Sequence, residues 1–254
     1  MFQDVQNNLI VVCSGTKGVG KTWLAVSLAE ALSLKKEKVL FFDADAGAEN
    51  IAFQRGLKKN TIYREMIKGK ITLNNAVCRY EKLKFDAIYA NALENVLNAF
   101  PAGRAQILAL DLKNLSKLYG HVVADCSNDN VVLKNILQNA AGKIVLILGA
   151  GKNALTDAYR ELENIKKICC NPVVGVVVNH ALSKSEGEQI FATLESANNR
   201  FIGLKLKLLG VIDQDGCIRD CVLSKASLFE RYPSSESLKN VVSIAEAICK
   251  KGEM

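Results

Sequence analysis

Seven short apolar runs recur along the chain, at residues 9–13, 39–42, 85–90, 122–124, 143–148, 173–178 and 206–212. Several, such as IVLIL and VVGVVV, contain no polar position. A strand exposed on one face would alternate, so unbroken runs predict strands buried on both faces, in a mostly parallel sheet. Between the runs the apolar period lengthens. Leu24, Leu28, Ala31 and Leu32 share one side of a helix over 21–34, and Leu108, Leu112, Leu115 and Leu118 space similarly. Further helices are predicted over 153–168, 186–198 and 237–250, the third of these five starting at 153 and the fourth capped by Ser185 with Glu188 three residues on. Alternating strands and helices predict an α/β fold: a doubly wound, mostly parallel sheet flanked by helices on both faces. No repeat or linker interrupts it, so residues 1–254 read as one domain.

Composition adds little to this picture but excludes some classes. Apolar residues make up 49% of the 254, enough for a large core, and no uninterrupted apolar stretch is long enough for a transmembrane helix. The opening MFQDVQNN is polar and does not read as a secretory signal. Eight cysteines lie scattered without a C-x-x-C pair, which predicts reduced, mostly buried thiols and a cytoplasmic protein. The net charge of +7 comes from dispersed lysine pairs, which permit weak attraction to nucleic acid or anionic lipid without selecting either.

The candidate chemistry sits after the first run. Gly15-Thr16-Lys17-Gly18-Val19-Gly20-Lys21-Thr22 fits G-x-x-x-x-G-K-S/T, with a strand before it and a helix after it. Glycines there let backbone amides turn inward around phosphate oxygens, and the helix N-terminus adds partial positive charge. Lys21 would neutralise the outer phosphates and Thr22 would ligate Mg²⁺. The second run ends in FFDADAGAEN, whose Asp43 and Asp45 alternate along extended chain. One suits orienting an attacking water, the other Mg²⁺; Asp45 is the candidate catalytic acid and Asp43 the metal-side acid. Asp125, after the run in HVVADCSND, is a third acid at the same sheet end and resembles the Mg²⁺-holding aspartate of phosphate-loop enzymes.

These motifs together resemble the MinD/ParA class of deviant Walker A ATPases. VLFFDADAGAENIAFQRGL resembles its first switch, and GKNALTDAYRELENIKK its mid-chain helix entry. The segment from VVGVVVNHALSKSEGEQIF to LLGVIDQDGCIRDCV, with LFERYPSSESLKNVVSIA, is most similar to the FlhG (FleN, YlxH) branch, which governs flagellar number and placement. The resemblance implies ATP and Mg²⁺ as ligands, an ATP-dependent homodimer and a protein partner from a flagellar or other positioning machine. It also implies that Asn179 reads adenine, that Asp213 lines the adenine pocket and that Asp157 lies near the dimer face.

Departures from the family pattern qualify this. The family loop reads G-K-G-G-V-G-K-T; here Thr16 takes the place of its signature lysine and Lys17 that of the next glycine. Lys17 is the candidate substitute for the lysine that reaches a partner's phosphates. The second switch, Asp125-Cys126-Ser127-Asn128-Asp129, lacks the family's glycine. The expectation is retained ATP and Mg²⁺ binding with weakened or altered hydrolysis. No activating N-terminal motif or amphipathic membrane-targeting tail is read, so a membrane role is not expected, the inner face of the cell membrane being the alternative location. The alternatives are a ParA-like partition ATPase binding DNA nonspecifically, and a nucleotide-binding scaffold without turnover. A metal-cluster carrier is disfavoured for want of paired cysteines.

Overall fold

The computed structural model describes residues 7–44, 50–58, 62–80, 82–89, 102–170 and 172–250. Within these, seven strands form one sheet: β1 Leu9–Cys13, β2 Val39–Ala44, β3 Asp86–Ile88, β4 His121–Cys126, β5 Lys143–Gly149, β6 Val173–Ala181 and β7 Lys205–Asp213. Their order is β3-β2-β4-β1-β5-β6-β7, and every neighbouring pair is parallel. The helices are α1 Lys21–Leu34, α2 Ile51–Arg55, α3 Ile62–Ile67, α4 Ala102–Leu115, α5 Val131–Ala140, α6 Ala154–Ile168, α7 Lys184–Phe201, α8 Gly216–Ser224, α9 Leu228–Arg231 and α10 Glu236–Cys249.

Successive side chains of a strand point to opposite faces, and here both faces are covered. From β1, Leu9, Val11 and Cys13 join a core with Leu112 of α4, Leu133 of α5, Leu162 of α6 and Leu194 of α7. Ile10 and Val12 join the opposite core, with Leu24 and Leu28 of α1 and Val241 and Ile244 of α10. All five β1 side chains are fully buried. Each such aliphatic side chain contributes about 1.5–3 kcal/mol by leaving water, which is why the runs carry no polar position.

Each of the seven apolar runs falls on a strand. β4 extends further than its apolar run, because Asp125 itself pairs with Val12 on one side and Asp43 on the other. Asp125 therefore lies inside the strand rather than after it. The α7 cap also differs from the sequence reading. Ser183, not Ser185, accepts from the Glu186 amide at 3.2 Å, and the Glu186 carboxylate accepts from the Leu182 amide at 2.5 Å. The reciprocal cap is thus formed two residues earlier, by Ser183 and Glu186. Ala90 lies outside the described residues.

β1 sits between β4 and β5, where the crossovers turn from one side of the sheet to the other. Ligands of open α/β sheets bind outside the carboxyl ends of strands at such a point. The segment 14–20 leaves β1 there and runs into α1.

Candidate functional site

The loop is built by close approach. An added Cβ at Gly15 would lie 2.1 Å from the backbone oxygen of Asp157 in α6, so only glycine fits against that helix. The Ser14 hydroxyl donates to the Thr16 carbonyl at 2.6 Å, and the Thr16 hydroxyl donates to the Asp157 carboxylate at 3.2 Å. Gly18 and Gly20 have φ of 71° and 89°, a left-handed backbone that disfavours a side chain. Gly20 is also the N-cap of α1 and offers no side chain to its amides, leaving the helix end open toward an anion.

Asn179, at the end of β6, secures the loop from behind. Its side-chain amide donates to the Val19 carbonyl at 2.9 Å, and its side-chain oxygen accepts from the His180 amide at 3.0 Å. The residue is 1% exposed. Both of its polar functions are therefore engaged by protein backbone.

A cavity of about 390 Å³ opens over this loop, lined by Gly18, Gly20, Lys21 and Thr22 together with Gln54 of α2 and Arg219 of α8. Lys21 is 8% exposed, and among the described residues no carboxylate lies in ion-pair contact with it. A buried ammonium without a counter-charge is costly, and a bound anion would supply one. The Thr22 hydroxyl donates to the Asp125 carboxylate at 2.5 Å. Asp43 lies beside Asp125 in parallel register, and both are fully buried. Asp43 also accepts from the Ile51 amide at 3.3 Å, which ties it to the first turn of α2. One hydroxyl and two adjacent carboxylates form an oxygen-only donor set, which suits Mg²⁺.

Lys17, at the loop's tip, forms an ion pair with Asp129 of the second switch, and both side chains are largely exposed. Asp129 is itself positioned by its backbone amide on the Ser127 hydroxyl at 3.1 Å, and Asn130 caps α5. Beneath the loop, burial pushes the Cys13 thiol from 9.0 up to about 12 and also raises Cys126. Neither thiol is a nucleophile at neutral pH. Among the described residues no group of three or more histidine, cysteine or acidic side chains is placed to hold a metal ion.

The structure thus brings Gly15 through Thr22, Asp43, Asp125 and Asn179 to one end of the sheet, with Asp157 against the loop. Asp45 lies outside the described residues. Asp213 ends β7 opposite Ala181 and does not line the cavity. The chain after it turns into α8, whose Ile218, Arg219, Val222 and Leu223 form that wall. The sequence reading missed these residues and His180, which stands in the left-handed region at φ 61° and borders the loop. A cap signal was present: the Asp215 carboxylate accepts from the Cys217 amide at 2.8 Å and starts α8.

The sequence profile of the CobQ/CobB/MinD/ParA nucleotide binding domain matches residues 10–228. The chain belongs to this family. Among its relatives, the antiactivator FleN of Pseudomonas aeruginosa is 27% identical over 243 residues, covering 94% of this chain and 85% of FleN. The flagellum site-determining protein YlxH of Helicobacter pylori is 25% identical over 255 residues, covering 99% and 86%. The septum site-determining protein MinD of Pyrococcus horikoshii, solved in complex with Mg-ADP, superposes with a TM-score of 0.77 at 20% identity over 96% of each chain. This MinD/ParA-family member therefore has the MinD fold, and its loop, Lys21 and paired acids stand where the fold's crossovers diverge. No helix among its described residues is long and apolar enough to cross a membrane.

Proposed function

We propose that this MinD/ParA-family protein binds ATP with Mg²⁺ on the 15–22 loop and uses the nucleotide to switch between monomer and dimer, positioning or counting a cellular machine, most directly the flagellum. The observation that carries the binding step is Lys21, buried at the cavity floor with no carboxylate in ion-pair contact among the described residues. Lys21 and the loop amides would hold the phosphates, and Thr22, Asp43 and Asp125 would hold the metal. Mg²⁺ there would neutralise charge on the outer phosphates. The flagellar reading rests on the likeness to FleN and YlxH along almost the whole chain.

Hydrolysis is proposed to be weak. Lys17 stands one place from the family's signature lysine and is paired with Asp129, and Thr16 in the signature place carries no charge. Calorimetry of Mg-ATP with wild type and Lys21→Ala tests binding: loss of heat in the variant supports it, and equal heats refute it. Turnover of wild type, Lys17→Ala and Asp45→Ala tests the chemistry; Lys17 is not the substitute lysine if its removal leaves the rate intact. Sedimentation with and without ATP tests the dimer. A second reading, a nucleotide-binding scaffold, is favoured by the same loop departures and predicts tight ATP binding with no turnover.

A further inference from the structure

Away from the phosphate loop, one buried charged contact joins three elements. The Arg55 guanidinium, at the C-terminus of α2, donates to the Glu30 carboxylate of α1 at 2.9 Å. The two side chains are 8% and 5% exposed. Another nitrogen of the same guanidinium donates to the Ala226 carbonyl at 2.5 Å, in the turn that joins α8 to α9. Ser227, next in that turn, also hydrogen-bonds Glu30, and its hydroxyl accepts from the Phe229 amide at 3.1 Å to cap α9. Burial pushes the Glu30 carboxyl above the usual range, while Arg55 pulls it down.

The placement of this contact is informative. α8 supplies the cavity wall through Ile218, Arg219, Val222 and Leu223, and α2 supplies Gln54. α8 rests on the core through Cys217, Ile218, Cys221 and Val222, of which Cys221 alone is fully buried. α2 has five residues, and its own first turn is held by Asp43. A planar guanidinium engaged in two directions fixes relative position better than a point charge would. A buried ion pair contributes little net stability over a well-packed apolar pair, so its use here is better explained by geometry than by energy.

We propose that Arg55 is a positioning residue, which by gripping Glu30 and the Ala226 carbonyl holds α8 against α1 and α2 and so sets the α8 wall of the nucleotide cavity. The proposal rests on the nucleotide-binding reading above. It makes the part of the nucleotide beyond the phosphates depend on a side chain that never touches it.

The test uses the double variant Glu30→Met/Arg55→Met, which removes both charges and leaves neither orphaned, and the single variant Arg55→Lys. Each is titrated calorimetrically with Mg-ATP and with magnesium tripolyphosphate, which reaches the loop but has no base or ribose. In the double variant Mg-ATP affinity is expected to fall about tenfold through lost preorganisation. Tripolyphosphate affinity should stay within about twofold, and the thermal midpoint within about 4 °C, of wild type. Arg55→Lys keeps a charge for Glu30 but loses the second arm of the fork, so it should fold as wild type and still bind Mg-ATP weakly. Wild-type Mg-ATP affinity in either variant overturns the proposal. So does an equal loss for ATP and tripolyphosphate, or a double variant that does not fold, since both would mark the contact as purely structural. Absence of Mg-ATP binding by wild type itself would remove the parent reading and this proposal with it, an outcome distinct from all of these.

Discussion

Asn179 offers the sharpest check on how the loop is held. Replacing it with alanine removes the donor to Val19 and the acceptor from His180 together, at a residue 1% exposed. Leaving two buried backbone groups unsatisfied costs about 2–5 kcal/mol. For a chain of this size that corresponds to a thermal midpoint lower by roughly 5–15 °C. Asn179→Asp distinguishes the two bonds. It keeps an oxygen for His180 but sets a second carboxylate oxygen against the Val19 carbonyl oxygen. The ionised form is then disfavoured in the folded protein, so the folded pKa of the new carboxyl rises above the unfolded value of about 3.9. A raised folded pKa means stability present at low pH and lost as pH rises through it. The deficit relative to wild type should therefore widen between pH 4 and 7, measured by thermal unfolding across that range. If Asn179→Ala unfolds with wild type while losing ATP affinity, Asn179 reads the nucleotide rather than holding the loop, and the reasoning fails.

Further outcomes follow from the same geometry. Gly18→Ala meets no atom within 4 Å and should cost only the left-handed backbone, about 1–2 kcal/mol, whereas Gly20→Ala also drives a Cβ to 2.6 Å from the Asn179 amide. Equal chemical-denaturation midpoints for the two would contradict this. Cys13, with its thiol held near 12, contributes stability fully below pH 9 that is lost as pH rises from 9 toward 12, at about 1.4 kcal/mol per pH unit. Comparing wild type with Cys13→Ala between pH 8 and 10.5 should show the steeper fall in wild type; parallel curves would count against it. Lys17→Ala should change stability by less than about 1 kcal/mol, because its ion pair with Asp129 is exposed, while lowering ATP turnover. A large stability loss without a kinetic effect would reverse that assignment.

The sheet was legible because burial on both faces leaves no polar position to obscure a strand, as IVLIL and VVGVVV show. α1 was legible from leucines at helical spacing, although the structure buries it nearly all round, from Trp23 to Leu32, rather than along one stripe. α8 was not, since its nine residues carry barely two turns of the pattern, Cys217, Ile218, Cys221 and Val222, of which Cys221 alone is fully buried. Asp213 was implied by the family resemblance alone, whereas Arg219 and its neighbours, which line the cavity over the loop, carried no motif to single them out. The phosphate loop was readable from glycine and lysine spacing, because the chemistry is local. The partner of Asn179 was not, because Val19 lies 160 residues away in sequence and a side-chain amide at a strand end does not declare which carbonyl it meets. Asp125 could be recognised as an acid at the right sheet end, but its direct bond to Thr22 is a property of strand register.

The close approach of Gly15 to α6 has a consequence for which substitutions the motif tolerates. With a backbone oxygen 2.1 Å from where its Cβ would stand, position 15 admits no other residue without displacing a whole helix. Thr16 is only half-buried and Lys17 faces solvent, so those two places are sterically permissive. Variation in this loop can therefore accumulate at positions 16 and 17, whose side chains meet Asp157 and Asp129, while the backbone cup beneath keeps its shape.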